Sequence, residues 1–236
     1  MTTSGATSDA TATVRDHLAL ALDVDDLVAA ERLAREVRSY FGVAKIGLEL
    51  FTAAGPEAIA VMLDLGYDVF LDLKLHDIPT TVEKAARVAG ATGVAYLTVH
   101  AMGGPIILRA GVEGFLEGAR AAGLPDPIPL AVTVLTSDGD APPHILPKRV
   151  ELALEAGAKG LVCAGSDLEF VRQLAPRLTL VVPGTRPLGV AANDQARVTT
   201  PAAALAAGAD LLVIGRAVTA AEDPVAAAER LVAGLR

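Results

Sequence analysis

The strongest constraint on this sequence is a repeated alternation of short apolar segments with longer amphipathic ones. Gly, Pro or Asp residues separate the segments, as expected for strands joined by helical crossovers. The predicted strands are residues 17–23, 43–46, 67–74, 94–99, 128–135, 158–163, 178–182 and 209–214. The predicted helices are residues 25–40, 49–65, 81–91, 105–121, 145–156, 167–174, 201–207 and 224–235.

Eight strand–helix units favour a closed barrel over an open sheet. Units of this number in 236 residues fit an α/β fold, the (β/α)8 TIM barrel, as a single domain. We therefore assign residues 15–236 to one barrel that forms the catalytic domain. An open doubly wound sheet is the alternative, but no Gly-x-Gly-x-x-Gly follows the first predicted strand.

Residues 1–14 are predicted to form a disordered N-terminal tail. Residues 1–13 are rich in Thr, Ser and Ala and contain no Lys or Arg, unlike a secretory signal or a transit peptide. The sequence contains no run of about 18 apolar residues, so we predict no membrane span. The single cysteine, Cys163, excludes an intrachain disulfide, suits a reducing cytoplasm and lies in an apolar run that predicts a core position.

The charge balance narrows the class of partner. The net charge is −8, from 20 basic and 28 acidic residues, and the basic residues are not clustered. An acidic chain of this kind is unsuited to bind nucleic acid or an anionic membrane, because both carry the same sign of charge. We therefore expect neither as a partner.

Polar residues stand at the carboxyl ends of seven of the eight predicted strands, which is the end where barrels carry their active sites. These residues are Asp23, Lys45, Asp72 with Lys74, His100, Thr136, Arg186, and Gly215 with Arg216. Alternation along the third strand places Phe70, Asp72 and Lys74 on one face. With Asp77, the charged residues of the first three strands are predicted to crowd one mouth of the barrel.

Such a cluster calls for a functional explanation, because apolar packing is usually as stable as a buried ion pair. A structural ion network is the alternative. Carboxylates on either side of Lys74 favour its protonated form, so we predict a proton donor and not a Schiff-base nucleophile. Fixed charges in a site that excludes water also create a strong local field.

The loops after the seventh and eighth strands predict a phosphate site, which barrels often carry there. Arg186 and Arg216 can each grip an anion, and Gly215 lets the backbone approach it. A surface charge is the alternative for each arginine. His76 and His100 are predicted to be hydrogen-bonded structural residues. No metal is expected, because Lys74 between the carboxylates would repel a cation.

Several segments resemble the bacterial form of the orotidine 5′-phosphate decarboxylase family. The most specific is Asp-Leu-Lys-Leu-His-Asp-Ile-Pro at residues 72–79. The others, in chain order, are Ala-Leu-Asp at 21–23, Lys-Ile-Gly at 45–47, Val-His-Ala at 99–101, Val-Thr-Val-Leu-Thr-Ser at 132–137, Pro-Gly-Thr-Arg-Pro at 183–187, Asp-Gln-Ala-Arg-Val at 194–198 and Val-Ile-Gly-Arg at 213–216. The resemblance covers nearly all of the chain beyond about residue 16.

The resemblance implies a cytoplasmic carboxy-lyase of pyrimidine biosynthesis that converts orotidine 5′-phosphate to UMP and CO2 without metal or organic cofactor. Lys74 would protonate the carbon that loses CO2, and Asp72 would face the substrate carboxylate. Lys45 and Asp77 would complete the charged array. The family works as a homodimer, so Asp77, Ile78 and Thr81 would reach the neighbouring subunit's site.

The resemblance also implies where the rest of the substrate binds. Asp23 and Lys45 would contact the ribose, and Thr136 the pyrimidine region. The phosphate side would be held by Arg186, Gln195, Gly215 and Arg216.

One residue departs from the family pattern: Thr80 stands where the family usually has Asn. We expect a local adjustment and no loss of activity. Two alternatives stay open, a magnesium-dependent sugar-phosphate decarboxylase or aldolase of the same barrel group, and a non-catalytic barrel that binds a phosphate ligand. The segments Ile78–Pro79 and Asp194–Gln195 favour the nucleotide enzyme.

Overall fold

The structure is a computed structural model that describes residues 14–138, 140–185 and 199–235. Eight parallel strands form a closed barrel in sequence order, and the last strand pairs with the first. They are β1 (Leu18–Leu22), β2 (Val43–Gly47), β3 (Asp68–Leu75), β4 (Tyr96–His100), β5 (Ile128–Val132), β6 (Gly160–Val162), β7 (Thr179–Val182) and β8 (Leu211–Ile214). The predicted (β/α)8 barrel is confirmed.

Helices connect successive strands on the outside of the barrel. They are α1 (Leu27–Val37), α2 (Leu48–Ala54), α3 (Pro56–Asp64), α4 (Pro79–Ala91), α5 (Gly104–Ala121), α6 (Ile145–Glu155), α7 (Leu168–Leu174), α8 (Pro201–Ala206), α9 (Arg216–Thr219) and α10 (Pro224–Ala233). Side-chain caps define several starts: Asp26 accepts from the backbone N–H of Val28, and Asp223 from that of Ala226.

Most element boundaries shift by a few residues from the prediction, and three differences are larger. The helix predicted over 49–65 is two helices, α2 and α3, because Gly55 between them has a φ of 57° and Pro56 starts the second. β5 ends at Val132, before the predicted end at residue 135, which leaves Thr136 in a loop. The short helix α9 was not predicted; its four residues are too few to show a helical period.

Alternation along the strands produces two apolar layers. Leu18, Leu20 and Leu22 of β1 belong to the large core between the barrel and its helices, whereas Ala19 and Ala21 face the barrel interior. Cys163 is buried, as predicted. The described part of the chain has no helix long and apolar enough to cross a membrane. The predicted tail lies outside the described residues, apart from Val14, which packs against the core.

Candidate active site

A pocket of about 440 Å³ opens at the carboxyl ends of the strands. Its described lining consists of Ala21, Asp23, Lys45, Phe70, Asp72, Lys74, Thr136, Val162, Pro183, Gly184, Thr185, Val213, Gly215, Arg216, Ala217 and Thr219. The lining has two distinct parts. We call Asp23, Lys45, Asp72 and Lys74 the charged half, and Thr185, Gly215 and Arg216 the β7–β8 half.

The charged half is one chain of alternating charges. The Nζ atom of Lys45 donates to Oδ1 of Asp23 at 2.8 Å and lies 3.9 Å from Oδ2 of Asp72. The Nζ atom of Lys74 lies 2.9 Å from each carboxylate oxygen of Asp72. Asp72 is therefore the central acceptor, with one amine of the barrel on either side of it.

The barrel register brings these side chains together. Ala21 of β1 pairs with Lys45 of β2, and Lys45 pairs with Phe70 of β3, so these three side chains form one inward layer. Asp72 pairs with Gly47 one layer higher. Phe70, Asp72 and Lys74 all line the pocket, as the alternation along the third strand predicts.

Gly47 makes room for the Asp23–Lys45 ion pair. A Cβ atom at this position would lie 2.9 Å from Oδ1 of Asp23 and 3.0 Å from Nζ of Lys45. Contacts this short require the ion pair to shift. The sequence shows Gly47 only as the end of a strand; its two close neighbours come from the residue after β1 and from β2 itself.

The pairing of β3 with β4 is irregular at the site. Leu71 pairs with Leu97, but the next pair is Leu75 with Val99, so β3 advances four residues while β4 advances two. Lys74 lies in this bulge with a φ of 50°, a left-handed value that is rare for residues other than glycine. Asp72 and Lys74 therefore both lie in the irregular segment of β3.

Thr98 of β4 contacts both charged residues of the bulge. Its hydroxyl accepts from the backbone N–H of Lys74 at 2.8 Å and donates to Oδ1 of Asp72 at 3.0 Å. The residue is completely buried and does not line the pocket. Sequence reasoning missed it, because a lone Thr inside an apolar strand carries no signal of its own.

The β7–β8 half combines backbone, hydroxyl and guanidinium groups. Gly215 precedes α9, and Arg216 begins that helix. Thr185 is buried, and its hydroxyl has no hydrogen-bond partner among the described residues. Thr136 also lines the pocket, from the loop after β5. Two predicted phosphate ligands, Arg186 and Gln195, lie outside the described residues.

Three predicted residues lie outside the pocket of their own chain. Asp77, Ile78 and Thr81 are exposed and are not part of the described lining. The carboxylate of Asp77 accepts from the backbone N–H of Ile78 at 2.6 Å, in the turn between β3 and α4. The structure thus brings four of the five predicted charges to one mouth and directs Asp77 elsewhere.

Two histidines border the charged half. The rings of His76 and His100 lie edge to face with centroids 6.0 Å apart. The Nδ1 atom of His100 accepts from the backbone N–H of Met102 at 3.2 Å, which requires this nitrogen to be unprotonated. Burial lowers the pKa of His100, and the positive charges of Arg149, His76 and Lys74 lower it further. His100 therefore has a hydrogen-bonded structural place, in line with the prediction.

The arrangement suits stabilisation of negative charge followed by proton transfer. The side chain of Lys74 lines the pocket, where a fixed ammonium can stabilise charge that develops on a bound molecule. Lys45 and Lys74 flank Asp72 on both sides, in places that a cation bound to this carboxylate would otherwise use. Among the described residues, no group of three or more His, Cys, Asp or Glu residues is placed to hold a metal ion.

Comparisons with known proteins agree with this geometry. The Orotidine 5'-phosphate decarboxylase / HUMPS family matches the chain over residues 16–231. The orotidine 5'-phosphate decarboxylase of Anaeromyxobacter sp. (strain K) is 49% identical over 93% of this chain and 98% of its own length. The enzyme of the same name from Moorella thermoacetica is 46% identical over 93% of this chain and 92% of its own.

A solved structure is similar to this chain in both fold and sequence. The crystal structure of orotidine 5'-phosphate decarboxylase from Lactobacillus acidophilus superposes with a TM-score of 0.77 at 31% identity. The match covers 93% of this chain and 98% of that one. The residues matched by the family, 16–231, include all eight strands of the barrel.

Proposed function

The chain belongs to the orotidine 5′-phosphate decarboxylase / HUMPS family, and we propose that it converts orotidine 5′-phosphate to UMP and CO2. The observation that carries this proposal is the placement of Lys74. Its ammonium is held by both oxygens of Asp72 at 2.9 Å and lines the same pocket as Gly215 and Arg216. One pocket thus offers a fixed proton donor and a site for a remote anion.

The proposed reaction needs only groups of the chain itself. The bond between the pyrimidine ring and its carboxylate breaks, CO2 leaves, and the electron pair stays on the ring carbon. The ammonium of Lys74 stabilises this developing carbanion and then gives it a proton, which completes the ring C–H bond of UMP. Lys74 regains its proton from water before the next turnover.

The other lining residues have proposed roles in binding. Asp72 faces the carboxylate that leaves, while Asp23 and Lys45 contact the ribose. Thr136 contacts the pyrimidine region, and Gly215 and Arg216 hold the phosphate together with Arg186 and Gln195. Phosphate contacts lie far from the reacting carbon, so their binding energy is available for ordering the site around the substrate.

The proposal is tested by incubating the purified chain with orotidine 5′-phosphate. We expect the ultraviolet absorbance of the substrate to disappear while UMP and CO2 form in equal amounts. Activity that survives EDTA supports the cofactor-independent reaction, whereas strong loss in EDTA favours a magnesium-dependent relative. Tight nucleotide binding by calorimetry with no product over hours would instead identify a non-catalytic binding barrel.

We further propose that the enzyme is a homodimer whose partner covers the surface around Asp77. Large apolar side chains are exposed there, with Ile78 65%, Met102 59% and Ile106 72% exposed. A Cβ atom on Gly103 would lie 3.0 Å from Nδ1 of His76, so the turn after β3 adjoins the start of α5. Clustered exposed apolar side chains favour a protein partner, and a second copy is the partner that the family provides.

Subunit complementation tests this dimer. In a mixture of Lys74→Ala and Asp77→Ala subunits, each mixed dimer has one site with both defects and one site with neither. Random exchange makes half of the dimers mixed, so activity should return to about one quarter of the wild-type value. Size-exclusion chromatography with light scattering should show the dimer mass. No recovery in dimers that demonstrably exchange would place Asp77 outside the neighbouring site.

The proposed activity places the chain in pyrimidine biosynthesis, where UMP is the product. A cytoplasmic location is part of the same proposal. The sequence has a single cysteine, Cys163, and a chain that cannot form an intrachain disulfide suits a reducing compartment. Fractionation of cells that express the chain, followed by assay of decarboxylase activity in each fraction, tests the location.

A further inference from the structure

Thr98 occupies an unusual position beneath the charged half. It lies in β4 between Leu97 and Val99, which face the large core around the barrel, so its own side chain points into the barrel. It is completely buried. A buried hydroxyl must be paired to avoid a desolvation cost, and both partners of this one belong to residues of the proposed reaction.

The direction of the two hydrogen bonds is defined. The backbone N–H of Lys74 donates to the hydroxyl oxygen at 2.8 Å, and the hydroxyl proton is donated to Oδ1 of Asp72 at 3.0 Å. The same carboxylate oxygen accepts from Nζ of Lys74. The Thr98 hydroxyl thus links the backbone of Lys74 to the side chain of Asp72. With the ion pair between Lys74 and Asp72, these contacts form a closed loop.

This loop lies at the irregular part of the barrel. β3 contains two more residues than β4 between the flanking pairs, and the backbone of Lys74 has a φ of 50°. A residue other than glycine in this conformation is strained and persists only where its surroundings hold it. The hydroxyl of Thr98 supplies the acceptor for the N–H group of that strained residue.

We propose that Thr98 is a positioning residue of the reaction, which fixes the Lys74 ammonium and the Asp72 carboxylate relative to the substrate without touching it. The proposal rests on the decarboxylase function. It assigns Thr98 an effect on the chemical step and little effect on binding, because the residue lies beneath the pocket lining. Displacement of a catalytic group by about 1 Å can lower a rate about 100-fold.

The test compares Thr98→Val with Thr98→Ser and with Thr133→Val. Valine has the shape of threonine without its hydroxyl, and serine keeps the hydroxyl. Thr133 is a matched control: it is also completely buried, directly after β5, and its hydroxyl donates to the carbonyl of Val162 at 2.8 Å. Thr98→Ala is the second variant without a hydroxyl, in case Thr98→Val does not fold.

We expect Thr98→Val to lower kcat about 100-fold with KM changed less than about threefold, since the interaction lost acts mainly in the transition state. Thr98→Ser should stay within about fivefold of wild type, because both hydrogen bonds can reform. Thr133→Val should leave kcat within about threefold, although the loss of its buried hydrogen bond lowers the stability of the fold. Equal kcat losses in Thr98→Val and Thr133→Val, or a wild-type kcat in Thr98→Val, would overturn the proposal.

A second measurement does not depend on turnover. By NMR-detected hydrogen exchange, the backbone amide of Lys74 should be protected in wild type and Thr133→Val and should lose most of that protection in Thr98→Val. Absence of turnover in the wild type, together with this exchange pattern, would contradict the decarboxylase function and leave the structural link intact. An unchanged exchange rate for the Lys74 amide in Thr98→Val would contradict the link itself.

Discussion

The charged half of the pocket and the β7–β8 half differ in how far the chain itself pairs their polar groups. In the charged half, every carboxylate and amine has a partner, from Lys45 with Asp23 at 2.8 Å to Lys74 with Asp72 at 2.9 Å. In the β7–β8 half, the hydroxyl of Thr185 is buried without a partner among the described residues, and Gly215 presents backbone alone.

This difference matches the tasks that we propose for the two halves. Charges that stabilise a transition state work best when they are already oriented, because no reorganisation is then needed during the reaction. The buried hydroxyl of Thr185 does not need a partner within the chain if a phosphate oxygen accepts its hydrogen bond. The comparison therefore predicts that changes in the charged half reduce kcat, and that changes in the β7–β8 half mainly raise KM.

Removal of the central amine gives the largest expected effect. Lys74→Ala loses proton transfer, worth about 10²–10⁴-fold, and charge stabilisation, worth about 10²–10³-fold, so kcat should fall by at least about 10⁴-fold. Circular dichroism should show a folded protein. The matched control is Lys84→Ala on the exposed face of α4, which should keep wild-type activity. If Lys74→Ala consumed orotidine 5′-phosphate at the wild-type rate, the proton donor would be another group.

Removal of the Arg216 guanidinium tests the expectation that changes in the β7–β8 half mainly raise KM. Arg216→Ala should raise KM about 10–100-fold, because a hydrogen bond to a charged group contributes about 1.5–3 kcal/mol to binding. The variant should also lose most of the wild-type preference for orotidine 5′-phosphate over orotidine. Arg230→Ala, on the exposed side of α10, should keep both parameters. An unchanged preference in Arg216→Ala would place the phosphate elsewhere.

A methyl group at the end of β2 disturbs the charged half without removing a charge. Gly47→Ala places a Cβ atom 2.9 Å from Oδ1 of Asp23, so the ion pair with Lys45 must move. We expect kcat/KM to fall about 10-fold, in line with a shift of less than 1 Å. Gly234→Ala is the control, because its Cβ atom meets only ordinary contacts from 3.5 Å. Equal activities of the two variants would show that the ion pair adapts freely.

The smallest effect concerns pH and the histidine beside the charged half. Burial and nearby positive charges lower the pKa of His100 from its ordinary value of 6.5. Below about pH 6.5, His100 therefore binds a proton in the unfolded chain but not in the folded one. The free energy of unfolding decreases as the pH falls toward the pKa of the folded state.

Denaturant unfolding between pH 5 and 8 measures this contribution. His100→Gln keeps an acceptor but cannot titrate, so its unfolding free energy should depend less steeply on pH below about 6.5 than that of the wild type. His144→Gln, at an exposed position, should retain the wild-type slope. Identical slopes in wild type and His100→Gln would show that the titration of His100 does not contribute to stability.

Sequence patterns predicted the barrel because each strand and helix carries its own local period, and eight such units have few compatible topologies. The same reasoning predicted several residues that line the described pocket, because the carboxyl ends of parallel strands meet at one face of the barrel. Boundaries were less predictable. The break at Gly55 and the short helix α9 depend on local backbone angles and contacts that a hydrophobic pattern does not encode.

By itself, the sequence determined the fold class, the family resemblance and the residue types at the strand ends, since these are properties of order and composition. Only the tertiary structure decided which groups pair. It placed Asp72 between two amines, directed Asp77 away from the pocket, and brought the hydroxyl of Thr98 from β4 to the bulge in β3. The physical reason is that hydrogen bonds depend on distances between different strands, which the barrel's register and the bulge in β3 set.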